Sequence, residues 1–172
     1  MARVLVNRSP RLPAVVGSVM AARQFVTNIV AEVDKDVSDA LAVIASELAS
    51  NCVRHGASAF QVNVEQREDR ILIEVEDDCG GEPVMRSPGP TDTSGRGLLI
   101  TGALADSWGV RRQPGSTGKT VWAVVAIPVS SPAGAHERGA HDRAPVRSDQ
   151  SRGRIIHAVR RSLEARARIA LV

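Results

Sequence analysis

The chain has 172 residues, 43% of them apolar and 24% charged, enough for one domain with a real core and too balanced for a disordered or fibrous protein. Its only aromatic side chains are Phe25, Phe60, Trp108 and Trp122, so the core must be aliphatic, and a sheet that stacks nucleic-acid bases on aromatic platforms is excluded. Charge is unevenly placed: residues 1–130 hold 13 basic against 15 acidic side chains, residues 131–172 nine Arg against four acids, which makes the basic character a property of the tail.

Residues 1–13 read as an N-terminal arm with a short strand at residues 3–6, ahead of Pro10 and Pro13. Val15, Val19, Ala22, Val26, Ile29 and Val33 recur at steps of three and four, which predicts a helix over 14–33 with one buried stripe. A second helix is predicted over 38–54, capped by Ser38 or Asp36, with Leu41, Ile44, Ala45, Leu48 and Cys52 on its apolar side. Arg54, His55 and Gly56 close it: basic groups suit the negative helix end, and glycine can take the left-handed turn.

Phe60, Val62 and Val64, then Ile71, Ile73 and Val75, alternate with polar residues around a charged turn at 67–70 and predict an antiparallel hairpin. Residues 78–97 are rich in Gly, Pro, Ser, Thr and Asp and predict a long loop of the kind that carries function. A short helix from Leu98 to Ala105, a strand beginning at Trp108 and a final strand from Lys119 to Ile127 follow, the last apolar on both faces and so interior to its sheet. Both tryptophans are expected in the core. Residues 129–153 read as linker and 154–172 as a basic amphipathic helix, with Ile155, Val159, Leu163 and Ala167 opposed to arginines.

No apolar run is long enough to span a membrane, no signal-like segment opens the chain, and neither Cys52 and Cys79 nor the four histidines form a metal-binding spacing, so a cytoplasmic protein is expected. Gly115 to Thr120 has the ending of a phosphate-binding P-loop, but its required first glycine is missing and a turn between strands is the wrong context.

Glu47, Asn51 and His55 fall at i, i+4 and i+8 and share one side of the second helix. A helix carboxylate and carboxamide can hold Mg²⁺ and a water, a carboxylate at a strand end can accept from a purine amino group, and glycines at a helix start admit phosphates to backbone N–H groups. Taken singly, each has an ordinary reading as a solvated, capping or turn residue.

Together and in order, the stretches Glu47 to Gly56, Ile73 to Asp78, Gly95 to Ile100 and Gly118 to Ala123 resemble the ATP-binding domain of anti-sigma-factor serine/threonine kinases. These belong to the superfamily of gyrase, heat-shock chaperone, histidine-kinase and mismatch-repair ATPases. Gly102 to Val110 is similar to the matching helix of short actinobacterial regulators, and the likeness spans residues 14–127.

The resemblance implies an α/β two-layer sandwich: a mixed, mostly antiparallel sheet with helices on one face, in an ATP-binding domain over 14–128. It implies Glu47 as the catalytic glutamate near the γ-phosphate, Asn51 as the Mg²⁺ ligand and Asp77 as the reader of the adenine amino group. Gly81, Gly95, Arg96, Gly97 and Leu98 match the phosphate-binding segments, and Thr120 the residue supporting the adenine pocket. Cys79 stands where the family carries a glycine; Lys119 is expected on a turn, within reach of a phosphate.

The implied cofactors are ATP and Mg²⁺, and the implied activity is phosphorylation of a serine or threonine on an anti-anti-sigma protein, in exchange with a sigma factor, with a homodimer as the active form. The alternative is a non-catalytic nucleotide-binding module that sequesters a sigma factor or other regulator. Direct nucleic-acid binding rests only on the tail's charge and is not expected.

Overall fold

The computed structural model describes residues 4–79, 96–112, 115 and 117–128. Nine elements follow along the chain: β1 (Leu5–Arg8), β2 (Leu12–Pro13), α1 (Val16–Ile29), α2 (Lys35–Arg54), β3 (Ala59–Gln66), β4 (Arg70–Asp77), α3 (Arg96–Leu104), β5 (Ser107–Arg112) and β6 (Lys119–Ala126). The strands order as β1-β3-β4-β6-β5, with β2 also pairing β3, and every described pair is antiparallel. The expected hairpin is β3–β4, and β6 lies inside the sheet between β4 and β5 as its two-sided apolar pattern requires.

The segment read as an arm contributes β1 and β2, both paired to β3. Helix α2 begins before the expected residue 38: the Asp34 side chain accepts from the backbone N–H groups of Asp36 and Val37, so Asp34, rather than Ser38 or Asp36, is the cap. Its other end is as expected, with Gly56 at φ 76° just beyond the helix. The predicted linker 129–153 and helix 154–172 lie outside the described residues, as does nearly all of the 78–97 loop.

One face of the sheet carries all three helices, with α2 in the middle, packed against both α1 and α3. Because it is flanked on both sides as well as below, α2 is buried over most of its circumference: Ala40 to Ala45 form an unbroken buried run. Leu41, Ile44 and Leu48 meet Phe60, Val62, Val64, Ile71, Ile73 and Val75 in an aliphatic core.

Strict alternation sends Asp77 and Lys119 to this inner face, in line with Val75 and Val121, and sends Glu76 and Thr120 to the other. Trp122 faces outward with Glu74 and lies over Gly109, where an added Cβ would approach its ring to 2.7 Å. The expectation of a core tryptophan therefore fails for Trp122, whose position in the pleat decides its face; Trp108 does pack against the core.

Candidate functional site

Three buried charges gather toward one end of the fold: Glu47 on α2 is 7% exposed, Asp77 at the end of β4 4%, and Lys119 at the start of β6 4%. Ionised groups are rarely buried this deeply unless they are paired or take part in binding.

Glu47 and Asn51, one turn apart, meet the first turn of α3. A Cβ placed on Gly97 would lie 2.8 Å from Glu47 Oε2 and 3.5 Å from Asn51 Oδ1, so any larger residue would have to push the Glu47 carboxylate aside. Leu98 is buried beneath that turn, and Thr101 donates its hydroxyl back to the Gly97 carbonyl at 2.9 Å. The backbone of α3 is thereby fixed against the carboxylate and carboxamide of α2.

Asp77 is held by three donors. Lys119 Nζ donates to its Oδ1 at 3.0 Å and the Cys79 backbone N–H to the same oxygen at 2.9 Å, while the Cys52 thiol reaches Oδ2 at 3.4 Å. Lys119 Nζ also donates to the Cys79 carbonyl at 3.0 Å. Burial above all, and then the negative charge of Asp77, pushes the Cys52 thiol far above its ordinary range, so it stays protonated and acts as a donor.

The Cys79 thiol donates to the His55 carbonyl at 3.1 Å, tying the end of β4 to the end of α2. The neighbouring Asp78 accepts from both the hydroxyl and the backbone N–H of Ser58, the latter at 2.8 Å, and lies 3.3 Å from Arg11. Those two Ser58 hydrogen bonds, the hydroxyl first, lower the Asp78 carboxyl to about 2.

A cleft of about 130 Å³ opens where β4 and β6 end, lined by Asp77, Asp78, Lys119 and Thr120 together with Arg11, Glu76, Thr117 and Gly118. This is smaller than the roughly 300 Å³ of the smallest ordinary ligand pockets.

The described residues thus bring Glu47, Asn51 and Gly97 together at one point and Asp77 with Lys119 at another, both beneath the helix layer. Thr120 is turned away from Asp77; Lys119 is the residue of β6 that faces it. Sequence reasoning set Lys119 on a turn within reach of a phosphate, at the start of the last strand, and its alternation with Val121, Ala123 and Val125 was the signal that it points inward. Gly81 and Gly95 lie outside the described residues, and of Arg96 only the backbone, at the start of α3, is described.

The donor set fits a nucleotide–metal complex. Carboxylate and carboxamide oxygens are the hard ligands that Mg²⁺ prefers, and Glu47 and Asn51 present one of each close to the Gly97 backbone. No group of three or more metal-ligating side chains forms a protein-only metal site among the described residues.

The family model of the histidine kinase-like ATPase domain matches residues 12–125, and the chain belongs to that family. No curated protein matches the chain. Among solved structures it is similar to the crystal structure of the RsbU and RsbW domains of Rv1364c from Mycobacterium tuberculosis, with a TM-score of 0.55 and 17% identity over 72% of this chain. The matched region is 32% of that longer chain, so the likeness is one of fold. No helix among the described residues is long and apolar enough to cross a membrane.

Proposed function

We propose that this histidine kinase-like ATPase domain binds ATP with Mg²⁺ beside its helix layer and phosphorylates a serine or threonine of a partner protein of the anti-anti-sigma type. In this reading it is a cytoplasmic regulator that exchanges that partner for a sigma factor and works as a homodimer. The observation that carries it is the close approach of Gly97 to Glu47 and Asn51, where a missing Cβ leaves a helix backbone against a carboxylate and a carboxamide.

Phosphoryl transfer asks a protein for positioning and charge compensation more than for covalent chemistry. Asn51 would hold the Mg²⁺, which would supply charge compensation for the phosphates. Glu47 orients the acceptor hydroxyl and takes its proton at the carboxylate, while the backbone of Gly97 and Leu98 meets the phosphates. Gly81, Gly95 and Arg96 complete the phosphate contacts, Asp77 accepts from the adenine amino group, and Thr120 supports the pocket from the outer face of β6. Burial of Glu47 strengthens each of these interactions by excluding water.

The test is purified full-length chain with radiolabelled ATP and candidate partner proteins from the same genome. Label should appear on a partner serine or threonine, and Glu47→Ala should keep ATP bound while cutting transfer about 10²-fold, the scale of a lost general base. Equal rates in the two proteins remove Glu47 from the reaction. ATP binding without any labelled partner assigns the sequestering module instead.

A further inference from the structure

Lysine at the bottom of a base pocket is unexpected: taking an ammonium out of water is expensive, and a neutral side chain would fill the space at lower cost. Lys119 is nevertheless 4% exposed and makes two hydrogen bonds, to Asp77 Oδ1 and to the Cys79 carbonyl. An ammonium has three N–H donors, and among the described residues the third has no acceptor.

Asp77 is incomplete in the complementary sense. Its Oδ1 already accepts from Lys119 and from the Cys79 N–H, whereas Oδ2 accepts only from the Cys52 thiol, a weak donor at 3.4 Å. An acceptor with spare capacity, Oδ2, and a donor with spare capacity, Nζ, therefore belong to two side chains joined through Oδ1 at 3.0 Å, and both residues line the same cleft. The edge that satisfies both has an amino group next to an unprotonated ring nitrogen, as adenine has at N6 with N1 on one side and N7 on the other.

We propose that Lys119 is a base-reading residue: its third N–H donates to the adenine ring nitrogen beside the amino group that Asp77 accepts, so that selection rests on an ion pair and not on the carboxylate alone. The inference rests on the nucleotide reading given above. It adds a donor on β6 to the acceptor on β4 and makes the pairing of Asp77 with Lys119 part of the binding site.

The experiment is calorimetry with ATP, 1-deaza-ATP and 7-deaza-ATP, each with Mg²⁺, on the full-length protein and on Lys119→Met. One of the two analogues should bind the wild type at least tenfold more weakly than ATP, the scale of a hydrogen bond to a charged group, and which one it is identifies the nitrogen. In Lys119→Met that discrimination should shrink to within threefold. Should Lys119→Met fail to fold, Lys119→Thr keeps a hydroxyl toward Asp77 while losing the reach, and should show the same levelling. Analogues that bind the wild type as tightly as ATP overturn the inference, and so does discrimination that survives in the variant. No binding of ATP itself removes the nucleotide reading along with it, whereas bound ATP with indifferent analogues removes this inference alone.

Discussion

Replacing Gly97 with alanine should separate stability from function. A Cβ at this position meets Glu47 Oε2 at 2.8 Å, where ordinary contacts begin near 3.4 Å, so the carboxylate must retreat by about 0.6 Å. Glu47 is 7% exposed and cannot swing into solvent; it must rotate against its neighbours, at roughly 0.5–1.5 kcal/mol for an off-rotamer torsion. Against that, alanine is favoured over glycine within a helix by about 0.5–1 kcal/mol. The two nearly cancel, and urea unfolding should find Gly97→Ala within about 1 kcal/mol of wild type. Catalysis tolerates such a displacement poorly, since a misplacement of about 1 Å can cost on the order of 10²-fold. Phosphoryl transfer should therefore fall at least tenfold in a protein of nearly unchanged stability. Gly56→Ala is the control: it has open space around it but sits at φ 76°, so it should lose about 1–2 kcal/mol and leave nucleotide affinity alone. Wild-type transfer by Gly97→Ala, or a loss of stability beyond about 3 kcal/mol, would refute this reading of Gly97.

Asp77→Asn leaves the Lys119 ammonium buried without its counter-charge, and urea unfolding should show a loss of about 3–5 kcal/mol, much of it recovered in the double variant Asp77→Asn/Lys119→Met. Asp78 has a folded pKa of about 2, below its unfolded value, so its contribution is complete above roughly pH 4 and is lost as pH falls towards 2; stability measured against pH should show a shallower acid limb in Asp78→Asn. Truncation after Pro132 removes no group of the described site and should leave ATP affinity within about threefold by calorimetry, a factor worth less than 1 kcal/mol, while sedimentation reports any change in self-association; an unfolded truncated chain would place part of the core in the tail.

Much of this arrangement was legible because it is local. The hairpin β3–β4 follows from two alternating runs around a charged turn, and the end of α2 from a glycine that only needed to adopt φ 76°. The misreadings come from what local pattern cannot contain. The pairing of Leu5 to Arg8 with β3 joins segments more than 50 residues apart, so a short N-terminal strand was legible but its place in the sheet was not. The start of α2 depends on which of several carboxylates turns back on the backbone, and Asp34 does so. Trp122 and Lys119 share a cause: residue type argued for burial of the ring and exposure of the amine, whereas the pleat of β6 reverses both. For the site, spacing placed Glu47 and Asn51 on one side of a helix but could not foresee that α3 would press against them.

The reversal at Lys119 bears on how this fold distributes its free energy. The aliphatic core under α2 is the stabilising part: Leu41, Ile44 and Leu48 against the inner faces of β3 and β4, with no charged side chain among them. Every deeply buried charge among the described residues lies beyond that core, where α2, β4, β6 and α3 converge. A buried ion pair seldom stabilises more than apolar residues of the same volume would, so Asp77 and Lys119 are poorly explained as structural glue. They are well explained if an edge with one donor and one acceptor completes them. By the same argument the site should be the part of the domain that nucleotide stabilises most. Ligand binding adds stability only through the groups it satisfies, so ATP should raise protection from hydrogen exchange at the end of β4 and the start of α3 before it affects the strands of the core. Uniform protection across the sheet, with no preference for those two segments, would count against the separation of core and site argued here.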